Sequence, residues 1–164
     1  MPRKNILPLA GRPLLYWSVR AALESRHINR VLVSTDDESI AKIARDSGAE
    51  VPFLRPPELA ADDILDYPVI RHAIDYLLDK EGYTPRLVVQ LRPTSPLRPQ
   101  GLIDDAIEKL QECKAADSLR VVCEPVNDPY KMWKIVDDFM VPLIDSGIHE
   151  QYNQPRQNLP KTYW

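Results

Sequence analysis

Residues 30–54 read RVLVSTDDESIAKIARDSGAEVPFL and contain a strand, a helix and a second strand in succession. The β-branched run at 30–35 is too short for a helix and continuous enough for a strand that is buried on both faces. The run at 51–54 predicts the second, shorter strand. A buried strand followed by a helix and a further strand is the repeating unit of α/β folds.

The helix within this stretch has a start signal and a stop signal. Asp36 or Asp37 can cap its first turn, and the helical pattern runs to about Ser47. Gly48 follows, and glycine readily adopts the left-handed conformation that ends helices. The two acids could also ligate a hard cation, but their place at a helix start favours capping because carboxylates there meet the positive end of the helix dipole.

The same alternation continues on both sides of this stretch. Apolar residues recur at helical spacing between Pro13 and Ser25, and Pro13 suits a first-turn position. The other predicted elements are helices at 69–78 and 102–110, strands at 87–91 and 118–123, and a hairpin within 132–143. The pattern predicts an α/β fold with a mostly parallel, Rossmann-like sheet in three layers.

Length and composition predict one domain over residues 1–164, and the change of pattern after Glu124 predicts that residues 125–160 form a small arm for association. The 44% of apolar residues are enough for one core, and the net charge of −3 offers no basic surface for nucleic acid or for a membrane. No apolar run approaches the roughly 18 residues of a membrane span, which predicts a cytoplasmic protein. Cys113 and Cys123 lack clustered histidines, so a metal site is not predicted there.

Candidate chemistry lies where predicted strands end. The five glycines form neither a P-loop nor a dinucleotide-binding fingerprint. Ligands of open α/β sheets bind at the carboxyl ends of the strands, which here are residues 34–37 and 92–95. His27, His72 and His149 are far apart and are interpreted as structural or surface residues.

Two basic segments can hold a phosphate. Arg3, Lys4 and Asn5 open the chain with charge-assisted donors, although a frayed basic terminus is the alternative. Arg55 lies beside a rigid Pro-Pro turn and suits forked recognition of a phosphate or a base edge. It could equally pair with Glu58 or Asp62.

The segment LRPTSPLR at 91–98 is the most informative loop. Its two prolines stiffen a strand end that presents Arg92, Thr94, Ser95 and Arg98. The alternative interpretation makes Ser95 a helix cap and Arg98 a surface charge.

Five segments occur together in a recognisable order. They are RKNILPLAGRPLL (3–15), VLVSTDDESIAKIARDSGAEVPFLRPPELAADD (31–63), LRPTSPLR (91–98), DPYKMWKI (128–135) and QPRQNLP (154–160). In order and spacing the chain resembles the acylneuraminate cytidylyltransferase family from Arg3 to about Trp164.

The resemblance implies a nucleotide-diphosphosugar-transferase-like fold and transfer of a cytidylyl group from CTP to an acidic sugar, with release of pyrophosphate. It also implies magnesium as cofactor and a homodimer formed through the arm. Two alternatives stay open: a nucleotidyltransferase for another sugar or nucleotide, and a truncated or degenerate, non-catalytic copy that acts as a dimer partner.

The resemblance also implies roles for particular residues. Those implied in catalysis are Lys4 and Arg92; in nucleotide binding Arg3, Lys4, Asn5, Arg55 and Asp66; and in acceptor binding Arg92, Thr94, Ser95, Lys131, Arg156 and Gln157.

Several positions depart from the family pattern. The family has a strand and a basic loop with glycine and serine before the Lys4–Asn5 pair, and paired aspartates that hold magnesium beyond the position of Trp164. Arg92 stands where the family often has glutamine, and Leu65 and Asp66 replace small hydroxyl residues. We therefore assign no metal ligand in this chain.

Overall fold

The computed structural model describes residues 3–61 and 63–164, which group into two compact units, Met1–Ala115 and Ala116–Trp164. In the first unit, strands β1 (Pro8–Leu9) and β2 (Arg12–Pro13) form a short antiparallel hairpin. The helices are α1 (Leu14–Leu23), α2 (Glu38–Asp46), α3 (Asp66–Glu81) and α4 (Leu102–Glu112). In the second unit, β3 (Trp133–Val136) pairs with β4 (Phe139–Pro142). Single-turn 3-10 helices lie at Lys4–Ile6, Pro57–Leu59, Pro129–Lys131 and Arg156–Asn158.

The α/β class is confirmed, and the four predicted helices form. Helix α3 begins three residues before the predicted start at 69, because Asp66 favours the first turn and Pro68 is tolerated there. The helix ends before Gly82, which has φ +61°. Helix α4 extends two residues beyond its predicted end at 110.

The core of the first unit lies between α1 and α2. Leu15 and Val19 of α1 meet Ala44 of α2 and Ala49 behind it, and all four are buried. Val31, Val33, Ile40 and Val51 pack against this cluster. The helical spacing of Leu15 and Val19 places both on one face of α1, which explains why this face turns inward.

Gly48 permits the tight turn that follows α2. Its φ is +98°, a conformation that L side chains rarely adopt, and an added Cβ would lie 3.0 Å from Leu23 Cδ1. The predicted helix stop is confirmed. It returns the chain toward residues 31–33, where Glu50 exchanges backbone hydrogen bonds with Val31 (2.7 Å) and Val33 (2.9 Å).

The predicted strands are only partly formed. Leu32 and Glu50 make one isolated parallel bridge, and Cys123 exchanges two backbone hydrogen bonds with Trp164, but no strand is assigned at 87–91 or 118–123 in the described part of the chain. Leu87, Val88 and Val89 are exposed. An extended segment becomes a strand only when a neighbouring chain pairs with its N–H and C=O groups, so these two strands stay predictions.

The second unit contains the predicted hairpin. Trp133 lies opposite Pro142, and Val136 lies opposite Phe139. Asp137 and Asp138 have φ values of 49° and 66°, which match the left-handed positions of a two-residue hairpin turn. The prediction of a hairpin within 132–143 is confirmed. Its use as an arm of one domain over 1–164 stays a prediction.

A buried carboxylate joins the end of α1 to α4. Asp104 is 6% exposed and accepts hydrogen bonds from Ser25 Oγ, from Arg26 N at 3.1 Å and from Arg26 Nε at 3.2 Å. The hydrogen bond from Ser25, followed by those from Arg26, lowers the pKa of Asp104 to about 2. The carboxylate is therefore charged at neutral pH and satisfied by three donors.

Replacing Asp104 with asparagine is expected to lower the unfolding temperature at pH 7 by a few degrees, because an amide NH₂ would face the donors of Arg26. A depressed folded pKa contributes stability above the unfolded value of about 4. That contribution disappears as the pH falls toward about 2. The difference in unfolding temperature between the wild type and Asp104→Asn should thus become smaller as the pH is lowered from 7 to 2, as measured by thermal denaturation. Asp105→Asn, at the exposed neighbouring position, is the control; a difference that does not narrow would contradict the linkage.

Candidate functional site

The basic segment at the start of the chain lies at the N-terminal end of α2. Its 3-10 helix, Lys4–Ile6, contacts both α1 and α2. Arg3 donates to Asp37 Oδ2 at 3.2 Å and also to Ser39 Oγ. The alternative of a frayed terminus is therefore wrong for Arg3, whose guanidinium is held against a second element. Lys4 is exposed beside it.

Asp37 caps α2, as predicted. Its carboxylate accepts hydrogen bonds from Ser39 N (2.7 Å) and Ile40 N (3.2 Å), and from the Ser39 hydroxyl. The hydrogen bond from the Ser39 side chain is the main cause that lowers the pKa of Asp37 to about 2, with the backbone bonds and Arg3 adding to it. A cation would have to displace these donors, so Asp37 does not present a ready metal ligand.

Arg55 lies next to the end of the segment 30–35. Its backbone N donates to Thr35 O at 2.8 Å, and its Nη2 donates to Asp36 Oδ1 at 3.2 Å. The predicted pairing with Glu58 is replaced by this contact, because the backbone bond sets Arg55 beside the strand end. Asp62, the other predicted partner, lies outside the described residues.

Three buried polar atoms in these segments have no hydrogen-bond partner in the described part of the chain. They are Asn5 Oδ1, Ser34 Oγ and Arg55 Nε. A buried polar atom without a partner costs free energy, and native proteins satisfy most such atoms with protein, water or ligand. Two of the three belong to predicted nucleotide-binding residues. Ser34 was predicted only through its place at a strand end.

The loop at 92–98 carries the second group of candidate residues. Arg92 forms an ion pair with Asp66 in the first turn of α3, so the structure brings these two predicted residues together. Thr94 and Ser95 are exposed on the loop. The helix-cap interpretation of Ser95 is wrong, because α4 is preceded by Gly101 in the N-cap position.

Arg98 is half-buried, so its interpretation as a surface charge is also wrong. Its Nη1 donates to Ser18 Oγ at 3.0 Å and its Nη2 to the carbonyl oxygen of Arg92 at 2.7 Å. Desolvation by burial lowers the pKa of Arg98 below its ordinary value, yet an arginine stays protonated throughout the physiological range. The loop is thus held against α1.

The second unit contains the third group. Lys131 and Arg156 line one cleft of about 620 Å³, together with Asn127 and Asp128. Arg156 Nη2 donates to the carbonyl oxygens of Pro125 (3.0 Å) and Val126 (2.8 Å). The structure therefore brings these two predicted cations to one surface of the second unit.

Gln157 lies beside Arg156 in an adjoining depression of about 320 Å³. This depression is lined by residues of the two segments 124–128 and 156–162. Gln157 thus belongs to the same surface of the second unit as the two cations.

Sequence reasoning missed one residue and one pairing that organise the site. The residue is Ser18, which is 5% exposed and lies on the same face of α1 as Leu15 and Ala22; the pairing is that of Asp36 with Arg55. Ser18 had a usable signal, since a serine on an apolar stripe needs a partner. The pairing of Asp36 had no such signal, because it depends on which residues of 52–55 come to lie beside residues 33–36 in the fold.

The described residues also limit the chemistry. Within 3–61 and 63–164, no three side chains of histidine, cysteine, aspartate or glutamate gather as a metal site. The same residues contain no helix with the length and apolar character that crossing a membrane requires. What the groups share is positive charge and hydrogen-bond donors, which is the chemistry of anion recognition.

Comparison with known proteins identifies the family. The sequence profile of the family described as cytidylyltransferase matches residues 1–137. The chain belongs to the cytidylyltransferase family. The match covers all the candidate residues of the first unit and Lys131 in the second.

Individual relatives have related names. The chain is 32% identical over 151 residues to an N-acylneuraminate cytidylyltransferase of Escherichia coli, which covers 92% of this chain and 34% of the relative. It is 35% identical over 109 residues to a pseudaminic acid cytidylyltransferase of Campylobacter jejuni (66% and 47%). It is 39% identical over 110 residues to a CMP-N,N'-diacetyllegionaminic acid synthase of Legionella pneumophila (66% and 46%). The chain therefore spans less than half the length of these relatives.

Two substitutions at Asp37 should separate the contribution of the N-cap to stability from that of the ion pair with Arg3. Asp37→Ala removes both and should lower the unfolding temperature by a few degrees, whereas Asp37→Asn keeps a good N-cap and should lower it less. Thermal denaturation at low ionic strength measures both, with Asp46→Asn at the other end of α2 as the control. Equal losses in the alanine and asparagine proteins would show that capping contributes nothing.

Proposed function

We propose that this chain carries the nucleotide- and acceptor-binding residues of a cytidylyltransferase, which transfers CMP from CTP to an acidic sugar of the nonulosonate type and releases pyrophosphate. The observation that carries the proposal is the convergence of Arg3 and Arg55 on residues 35–39, with Asn5 in the 3-10 helix that contacts α2, all within the part of the chain that matches the family. The names of the relatives supply the acceptor class.

The proposed reaction is a substitution at the α-phosphorus of CTP. The anomeric hydroxyl oxygen of the sugar forms a bond to this phosphorus, and the bond from the phosphorus to the bridging oxygen of pyrophosphate breaks. The hydroxyl proton is lost and the electron pair leaves with pyrophosphate. No covalent enzyme intermediate is needed, so positioning and charge stabilisation supply the rate enhancement.

Residues of the first unit take the nucleotide side of this reaction. Arg3 and Lys4 would neutralise the phosphates, with Lys4 closest to the reacting group. Asn5 would accept a hydrogen bond from the nucleotide through its unsatisfied Oδ1, and Arg55 would donate one through its unsatisfied Nε. Asp66 would act through its ion pair with Arg92 at the edge of the nucleotide site.

The acceptor side would combine neutral and charged donors. Thr94 and Ser95 would contact sugar hydroxyls from the loop, and Arg92, which is paired with Asp66, would donate hydrogen bonds beside them. Lys131 and Arg156, with Gln157, form a cationic surface that suits the sugar carboxylate. In the proposed homodimer, this surface serves the acceptor site of the neighbouring subunit.

Magnesium belongs to the proposed reaction as the ion that neutralises charge on the triphosphate. The described acids do not fit it as a ligand set, because Asp37 is engaged in capping and Asp36 is paired with Arg55. We therefore derive no step through the metal from this chain.

The proposal extends to the sheet. Residues 30–35 and 87–91 are apolar, extended and largely unpaired, which is the state of strands that a mostly parallel sheet would join. Pairing on their open sides would complete the three-layer, nucleotide-diphosphosugar-transferase-like fold.

Pyrophosphate release tests the activity. The 164-residue chain and the full product of its reading frame should be assayed with CTP, magnesium and a panel of acidic sugars. Arg55→Lys keeps the charge but loses the fork, and should raise the KM for CTP by about tenfold. Arg71→Ala, which removes an exposed pair with Asp75 and a contact with Tyr67 on the same helix, is the control.

Two results would overturn the proposed function. Faster turnover with GTP or UTP than with CTP would favour a nucleotidyltransferase of different specificity. Stable folding and self-association without CTP binding or pyrophosphate release would favour the non-catalytic dimer partner.

The β3–β4 hairpin is the proposed dimer surface. Ile135 and its cross-strand partner Met140 are 75% and 64% exposed on one face of the hairpin, and a pair of exposed apolar side chains of this kind is typical of an interface. Ile135→Asp combined with Met140→Asp should convert a dimer into a monomer in light scattering at micromolar concentration, because burying two carboxylates opposes association. Leu65→Asp, at a side chain that is also 75% exposed, is the matched control. A wild-type monomer, or a dimer that survives both hairpin substitutions, would contradict this surface.

A further inference from the structure

We infer that Ser18 and Arg98 are positioning residues that fix the conformation of the loop at 92–98, and that they act by holding the carbonyl oxygen of Arg92. Neither residue is implied in binding or catalysis by the resemblance. The inference rests on the proposed function only in taking the acceptor sugar as the ligand that this loop contacts.

Three donors converge on one carbonyl oxygen. Arg92 O accepts from Arg98 Nη2 at 2.7 Å, from Ser95 N at 3.1 Å and from Ser18 Oγ at 3.4 Å. The bond from Ser95 closes the turn of the loop, and the other two tie that turn to α1. A carbonyl oxygen has two lone pairs, so these three contacts use its whole capacity to accept hydrogen bonds.

Arg98 and Ser18 also contact each other. Arg98 Nη1 donates to Ser18 Oγ at 3.0 Å, while the Ser18 hydroxyl donates its one proton to Arg92 O. The hydroxyl thus has a fixed donor role and a fixed acceptor role, and the guanidinium uses two nitrogens of its planar fork. A lysine ammonium is a point charge and cannot reach both oxygens with the same geometry.

The sequence explains why the loop needs such a support. Pro93 and Pro96 have no N–H group, so the loop cannot be tied down by a regular ladder of backbone bonds. Leu97 is 92% exposed and contributes little packing. The side chain of Arg98 replaces this missing support from within the loop, and Ser18 replaces it from the buried face of α1.

Desolvation of Arg98 is the consequence of this arrangement. Its recorded partners are a hydroxyl and a carbonyl oxygen, and the described ion pairs do not include it. A half-buried cation held by neutral oxygens is expensive for stability alone. Its presence there is explained when the geometry of Thr94 and Ser95 matters for the acceptor.

The first test measures the loop without any substrate. In Arg98→Ala and in Ser18→Ala, hydrogen exchange at the Ser95 amide should rise by about tenfold, whereas the amides of α1 should stay unchanged. Arg98→Lys should resemble Arg98→Ala, because the fork is lost although the charge remains. The double variant should exchange no faster than the single ones, since both side chains hold the same carbonyl. Arg20→Ala, which removes only an exposed pair with Glu24 on α1, is the control.

The second test separates a positioning role from a merely structural one. In the pyrophosphate assay, Arg98→Ala should raise the KM for the acidic sugar by about tenfold and leave the KM for CTP unchanged. Free guanidinium ion at millimolar concentration should restore part of the loss.

The outcomes are distinguishable from those of the proposed function. Faster exchange at Ser95 in proteins that all lack pyrophosphate release would support the positioning role and overturn the proposed reaction. Wild-type exchange at Ser95 in the variants, or a full rescue by lysine, would overturn the positioning role whatever the activity. Faster exchange throughout α1 would also overturn the positioning role, because it would show that Arg98 stabilises the fold as a whole rather than the loop.

Discussion

Burial of one face of α1 is the constraint on which the first unit depends. Leu15 and Val19 on this face hold α2 and the turn at Ala49, and the same face carries Ser18, which fixes the loop after residue 91. The helix end is tied to α4 through Asp104. A ten-residue helix is too short to be stable by propensity alone. Helix α1 therefore forms only together with the packing of these neighbours against it. A change on this face would therefore alter the site as well as the core.

Three of the candidate arginines share a second property, which is that each already forms an ion pair with an aspartate. Arg3 contacts Asp37, Arg55 contacts Asp36, and Arg92 contacts Asp66. These pairs are exposed or partly exposed and contribute little to stability. Their effect is to restrict long side chains to one region, which reduces the conformational entropy that a bound ligand must remove. The aspartates that pair with these arginines thus order the cationic side chains of the candidate site.

Local signals in the sequence predicted local structure well. The cap at Asp37, the stop at Gly48 and the hairpin at 133–142 each depend on neighbouring residues, and each is confirmed. Strands at 87–91 and 118–123 depend on a pairing chain, which their apolar composition cannot supply. Partners across the fold were equally beyond reach, so Asp36 was not assigned to Arg55. Ser18 and Asp104 are the instructive exceptions, because polar residues on apolar helical faces do predict that a partner exists, without predicting which one.

The ion pair between Arg92 and Asp66 changes how this loop would respond to ionic strength. A free arginine attracts an anion over a distance of about one Debye length, and added salt weakens that attraction steeply. A paired arginine presents almost no net charge, so an arriving carboxylate exchanges places with the one already there. The free energy of such an exchange is small and nearly independent of salt. In the proposed site, recognition at Arg92 would thus be governed by geometry and by the number of hydrogen bonds, and a dianionic phosphate would gain more from the exchange than a single carboxylate.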